Sequence, residues 1–256
     1  VALATGSWPS PFWLASAEAV WRGGPDLGRL GAGSARQQWI TFRDSMVHRF
    51  VVRRAPLFPL ASLALGGIVW SRAEEPGAYL ASYDLDDFAC DVWSFFLTGA
   101  SHQELLIQPE LLAPSHWDIL ARAANVSRHH ARILRDAHWA GGDPAAGEVY
   151  GYASFACPPC LGLLSWRNPL LRPQNATFTL RRSLSVPRSW PGGAAGGHWR
   201  VRTLWPEAAS AAALPQAERW AARQLPNWDR VTLDQLLDLE LQGLELRVLE
   251  VAPLPP

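Results

Sequence analysis

The stretch Trp21-Arg22-Gly23-Gly24-Pro25-Asp26-Leu27 has residue types and spacing suited to bond-breaking chemistry. An apolar run, Ala19-Val20-Trp21, ends in an arginine, and a carboxylate follows four residues later inside a Gly/Pro bend. Gly and Pro punctuate a chain that turns, so the run reads as a strand that stops at Arg22. At the C-terminal rim of a barrel of parallel strands, such a carboxylate faces the site. Asp26 could then move a proton, and Arg22 could hold that carboxylate or a substrate hydroxyl. Spacing alone weighs this evenly against a loop aspartate that caps a turn or a helix.

Other constellations carry less. Cys157-Pro158-Pro159-Cys160 has the spacing of a redox or metal pair. A second pair is missing and the context is not βαβ, so a local disulfide or two free thiols is preferred over metal. His129 and His130 are adjacent on a helix and point to different faces, and no carboxylate completes a site with them or with His138. No metal and no cofactor is expected. No G-x-S-x-G element supports a serine nucleophile. Asp44 sits mid-helix and reads as a surface or helix-pairing group.

The elements that must position these residues alternate. Apolar runs at 1–4, 19–21, 60–70 and 104–108 are separated by helical patterns at 35–52 and 86–98, the rhythm of parallel strand–helix units. Residues 114–136 read as one helix with Ser115 as its N-cap, and residues 136–147 as a loop. Beyond 147 the period changes to two, with strands predicted at 148–155, 161–167, 177–184, 198–204 and 244–251. A surface loop is predicted at 208–213 and a short helix at 214–224. The fold class expected is α/β plus all-β. Residues 1–140 are expected to form the C-terminal half of a (β/α)8 barrel, and residues 141–256 an antiparallel β-sandwich. The opening residues lack the features of a signal peptide and read as a strand already under way.

Composition narrows the partners. Of 256 residues 48% are hydrophobic and 18% charged, enough for a sizeable core. A formal net charge of zero argues against nucleic acid. No apolar run approaches the roughly 20 residues that cross a bilayer, so no membrane partner is expected. All 23 basic residues are Arg, from which no function follows. The 14 Trp are read first as core and only then as sugar-stacking surfaces. Sequons at Asn125 and Asn175 agree with a secreted or lysosomal-type route. Oligomeric state is left open.

The Trp21-Arg22-x-x-x-Asp26 element resembles the strand-six signature of α-galactosidases and α-N-acetylgalactosaminidases. The resemblance implies that Asp26 is the general acid/base of a retaining glycosidase and that Arg22 contacts substrate. Retaining hydrolysis uses two carboxylates about 5–5.5 Å apart, and the acid must keep its proton near neutral pH. Thr5-Gly6-Ser7-Trp8-Pro9-Ser10 resembles the family's strand-five loop, which reads the substituent at sugar C2. It implies that Ser7, Trp8 and Ser10 bind substrate, and the Ser7/Ser10 pair is similar to the N-acetylgalactosaminidase pattern. Pro56 to Leu60 and Leu65-Gly66-Gly67-Ile68 resemble the seventh barrel segment.

Further pieces resemble a bacterial branch of the same superfamily. They are Thr98-Gly99, Gln103-Glu104-Leu105, His138 to Pro144, Gly147 to Tyr152 and Trp166-Arg167-Asn168-Pro169. The closing Leu246 to Val251 resembles the sandwich's last strand. The family's nucleophile is an aspartate on strand four, which would precede Val1. The resemblance therefore implies a carbohydrate substrate and an α-glycosidase whose nucleophile this chain lacks. A non-catalytic carbohydrate-binding relative and an inactive fragment are the alternatives.

Overall fold

Helices form where a cap meets an apolar stripe. Ser34 accepts the Gln37 N–H at 3.2 Å and starts α1 (Ala35–Phe50), which ends with His48 and Arg49 beside its negative dipole end. Asp84 accepts from the N–H groups of Asp86 and Asp87 and starts α2 (Leu85–Phe96). These come from a computed structural model that describes residues 2–3, 10–71, 84–158, 160–189, 197–206 and 228–255. The helix predicted over 114–136 divides into α3 (Pro114–His129) and α4 (Ala131–Leu134), interrupted at His130. Its N-cap is Ala113, not Ser115. Pro114 takes the first helical position, where its missing N–H costs nothing, and His116 Nδ1 accepts the Ala113 N–H at 3.1 Å.

The parallel strands are short. β1 (Ala2–Leu3), β2 (Ala19–Trp21) and β3 (Leu63–Ala64) form one sheet in that order, both pairings parallel. β4 (Ile68–Trp70) and β5 (Leu105–Ile107) form a second parallel pair. The apolar run 60–70 thus holds two strands. Gly66, at φ 85°, separates β3 from β4, and each half pairs with a different neighbour.

The rest is antiparallel. β6 (His138–Gly141), β7 (Tyr150–Ala156), β8 (Leu161–Arg167), β10 (Trp199–Trp205), β11 (Trp228–Val231) and β13 (Leu246–Pro253) make a six-stranded sheet in the order β11-β10-β13-β8-β7-β6. β9 (Gln174–Thr179) pairs with β12 (Leu236–Leu241) in a two-stranded sheet. Three features depart from the sequence expectation. β6 lies in the segment read as a loop. The strand predicted over 177–184 ends at Thr179, whose hydroxyl caps the short helix α5 (Leu180–Ser183). β11 and β12 were not predicted. The predicted segments 208–213 and 214–224 lie outside the described residues.

Both faces of the six-stranded sheet are buried. Tyr152, Leu163, Trp205, Leu246 and Val248 join the core built by α1, α2 and α3. Leu164, Trp166, Val201, Leu249 and Val251 meet Ala176, Phe178, Leu237, Leu239 and Leu241 of the two-stranded sheet. Strand alternation assigns neighbouring residues such as Leu163 and Leu164 to opposite cores. The architecture is mixed α/β followed by antiparallel sheet. No helix among the described residues is long and apolar enough to cross a membrane.

Candidate active site at the Arg22 to Asp26 bend

β2 enters the bend as a parallel strand, and the Arg22 N–H continues its ladder to the Ala64 carbonyl at 3.1 Å. The chain then reverses through Gly23 and Gly24, at φ 86° and 76°, a region that favours glycine. Arg22 is wholly buried. Its Nε donates to the Leu65 carbonyl at 2.7 Å and Nη1 to the Gly23 carbonyl at 2.7 Å. Nη2 donates to the carbonyls of Pro25 at 3.0 Å and Asp26 at 3.1 Å. The guanidinium lies 4.5 Å from the Trp21 ring centre, a cation–π contact. Burial, helped by the nearby Arg43 charge, lowers its pKa to about 10, so it remains cationic at neutral pH. The resemblance implies a substrate contact for Arg22. In the structure these donors bind backbone carbonyls and fix the bend from beneath.

Asp26 is exposed on that bend. Among the described residues no hydrogen bond or ion pair engages its carboxylate. The cap of the following helix is Ser34, so Asp26 does not fill the capping role that spacing left open. Its backbone carbonyl is pinned by Arg22 while its side chain stays available to a ligand.

Ser10 is half-buried and its hydroxyl accepts the Phe12 N–H at 3.4 Å, capping the 3-10 turn Pro11–Ala15. It lines a cleft of about 320 Å³ together with Phe50, Arg54 and Leu57. The Phe50 ring also lies where a side chain on Gly23 or Gly24 would go, so cleft and bend share this wall. No hydrogen bond joins Ser10 to the bend among the described residues. Ser7 and Trp8 lie outside the described residues.

Behind the bend, residues 28–33 lie along α1. A Cβ on Gly28 would strike the Phe42 ring, and one on Gly31 would press on Thr41. The Leu30 N–H donates to the Gln38 carbonyl at 3.1 Å. Helix α1 also meets β7 and β8 through a buried polar network that the sequence reading missed. Asp44 accepts from the Tyr150 hydroxyl at 2.9 Å, the Tyr152 hydroxyl at 3.1 Å and Arg43 Nε at 3.0 Å. Arg43 Nη1 and Arg36 Nη1 reach the two oxygens of Asp91 at 3.2 and 2.8 Å. Arg167 donates to Thr41, Tyr150 and Gln37.

Asp44 therefore pairs on its own helix, as predicted, but it is buried at 1% exposure and not on the surface. Burial opposes the Arg43 charge, yet Asp44 and Asp91 outweigh it and raise the Arg43 pKa. Burial, with Asp44 alongside, pushes both tyrosines well above their ordinary value, so both stay protonated donors. The available signal was the alternation Tyr150-Gly151-Tyr152, which puts two hydroxyls on one face of a strand.

Of the remaining candidates, Cys157 and Cys160 form a disulfide and Cys90 is a buried free thiol. No group of three or more His, Cys, Asp or Glu side chains among the described residues is placed to hold a metal ion.

No protein-family model matches the sequence, and no curated protein sequence matches it. Solved structures do match the fold. A GH27 β-L-arabinopyranosidase from Geobacillus stearothermophilus, solved with arabinose, aligns over 99% of this chain and 50% of its own, with TM-score 0.58 and 9% identity. An α-galactosidase from Saccharomyces cerevisiae aligns over 93% of this chain and 60% of its own, with TM-score 0.54 and 9% identity. The same yeast enzyme has been solved with raffinose, and that structure aligns with TM-score 0.52 and 8% identity. The chain shares the fold of these α-galactosidase-like glycoside hydrolases at low identity, and spans about half their length.

Proposed function

We propose that this chain is the C-terminal part of a retaining α-glycosidase that removes terminal α-linked galactose or N-acetylgalactosamine, with Asp26 as the general acid/base. In this reading the parallel strand–helix units are the second half of a (β/α)8 barrel, and the two antiparallel sheets are a β-sandwich buttress. The observation that carries it is the bend itself: a parallel strand delivers a buried arginine that grips four carbonyls and leaves one carboxylate facing out. Likeness in fold to enzymes solved with arabinose and raffinose supports a carbohydrate ligand. Arg22 acts in this proposal by shaping the bend.

A retaining mechanism needs a second carboxylate about 5–5.5 Å from the first. No residue among 1–256 matches that nucleophile by motif, so the proposal assigns it to a segment outside this chain. The acid of such a pair keeps its proton because loss of water and a neighbouring negative charge both favour a protonated carboxyl group. It then protonates the leaving oxygen as the nucleophile attacks the anomeric carbon. In the second step it takes the proton from the incoming water. Ser7 and Ser10 are proposed to face the sugar's C2 substituent, with Trp8 in the same loop.

The test is Asp26→Asn in a chain that carries the upstream strands. It is assayed on an alkyl α-galactoside, a poor leaving group, and on the 2-acetamido analogue. Loss of general-acid catalysis should lower the rate by about 10²–10⁴. An unchanged rate refutes the assignment. Sugar binding without turnover in the unmutated protein would instead identify a non-catalytic relative.

A further inference from the structure

We infer that Asp44 and Tyr152 are positioning residues, through which the antiparallel sheet holds the Arg22 to Asp26 bend in place. Helix α1 lies between the two. It carries the returning segment, with Thr41 against Gly31 and the Gln37 stem where a side chain on Gly33 would go. The same Thr41 and Gln37 also accept from Arg167 of β8, at 2.8 Å through Oγ1 and 2.9 Å through Oε1. Asp44, one turn further on, takes both tyrosine hydroxyls of β7. The antiparallel sheet therefore holds the same two side chains that seat the segment leaving the bend.

The connection is electrostatic as well as steric. Arg22, the clamp of the bend, senses the charges of Arg43 and Asp44 and the tyrosine at 152. All of these side chains are buried, so little solvent screens them. Around Asp44 the charges nearly balance: Arg36, Arg43 and Arg167 face Asp44, Asp87 and Asp91. Removing one hydroxyl from such a set leaves a carboxylate oxygen under-bonded, and the helix is free to shift until it finds another donor.

This inference rests on the glycosidase reading only for its kinetic consequence, so two readouts are taken on Tyr152→Phe, a swap that keeps the ring. The first is amide hydrogen exchange, which needs no activity. Exchange across residues 23–34 should rise about tenfold, the size expected from one lost hydrogen bond to a buried charge, with β10 and β13 unchanged. Faster exchange confined to α1 and β7, with residues 23–34 as slow as before, would overturn the inference and leave the network a purely structural one. The second readout is hydrolysis of an aryl α-galactoside by a chain carrying the upstream strands. A positioning role lowers kcat about tenfold with KM unchanged. A wild-type protein that hydrolyses no glycoside sinks the proposed function, but the exchange result still decides the inference. If Tyr152→Phe does not fold, Asp44→Asn, which drops the charge and replaces one of the two acceptor oxygens with an NH2 donor, is read by the same two outcomes.

Discussion

Arg22 shows how one side chain can set a backbone. A buried guanidinium must spend its fixed fork of donors on acceptors, and here Leu65, Gly23, Pro25 and Asp26 supply carbonyls from two segments. Arg22→Lys offers three donors from a compact head, so at least one buried carbonyl loses its partner. The expected cost is about 1–3 kcal/mol, read as a lower urea midpoint at unchanged slope. Because burial lowers the folded-state pKa to about 10, the folded and unfolded chains differ in bound protons only above that value. Arg22 therefore contributes no pH dependence near neutrality, and favours the fold increasingly as pH rises past about 10. The bend was legible in the sequence because an apolar run met Arg, Gly, Gly, Pro and Asp in order. The Asp44 network was not, since Tyr150 and Tyr152 find their acceptor more than 100 residues away.

At the level of elements, periodicity found the long helices and the strands of strongest alternation; β8 matches its predicted span of 161–167. The misses share a cause, which is that tertiary contacts override local signals. His138-Trp139-Ala140-Gly141 sits among Gly and Pro and reads as a loop, yet it completes a sheet edge against Tyr150 to Ala153. Ser115 had the better capping chemistry, but Pro114 and the ring of His116 moved the cap of α3 two residues earlier, to Ala113. That ring packs 4.8 Å from Phe88 and 5.3 Å from Trp70, centre to centre. Burial lowers its pKa below 6.5. As pH falls through 6.5 the unfolded chain binds a proton that the folded one resists, so stability is lost until pH drops below the lowered value. His130 shifts in the same direction, again chiefly by burial. Melting temperature should therefore fall between about pH 7.5 and pH 5. His116→Gln, which keeps a side-chain acceptor for the Ala113 N–H, should shrink that fall.

Across the whole molecule, the six-stranded sheet is shared property: one face completes the helical core and the other the core against β9 and β12. Neither side can lose packing alone. Leu163→Ala, on the helical face and 2% exposed, should cost about 2–5 kcal/mol. Tryptophan fluorescence and far-ultraviolet circular dichroism should still report one coincident transition, and two separated transitions would show that the halves unfold independently. The contact of Gly28 with Phe42 has a consequence for descent. The two positions divide a fixed volume between them, so a lineage that acquires a methyl group at one must surrender ring atoms at the other. Correlated exchange at 28 and 42 would be the trace that this packing leaves in related genes.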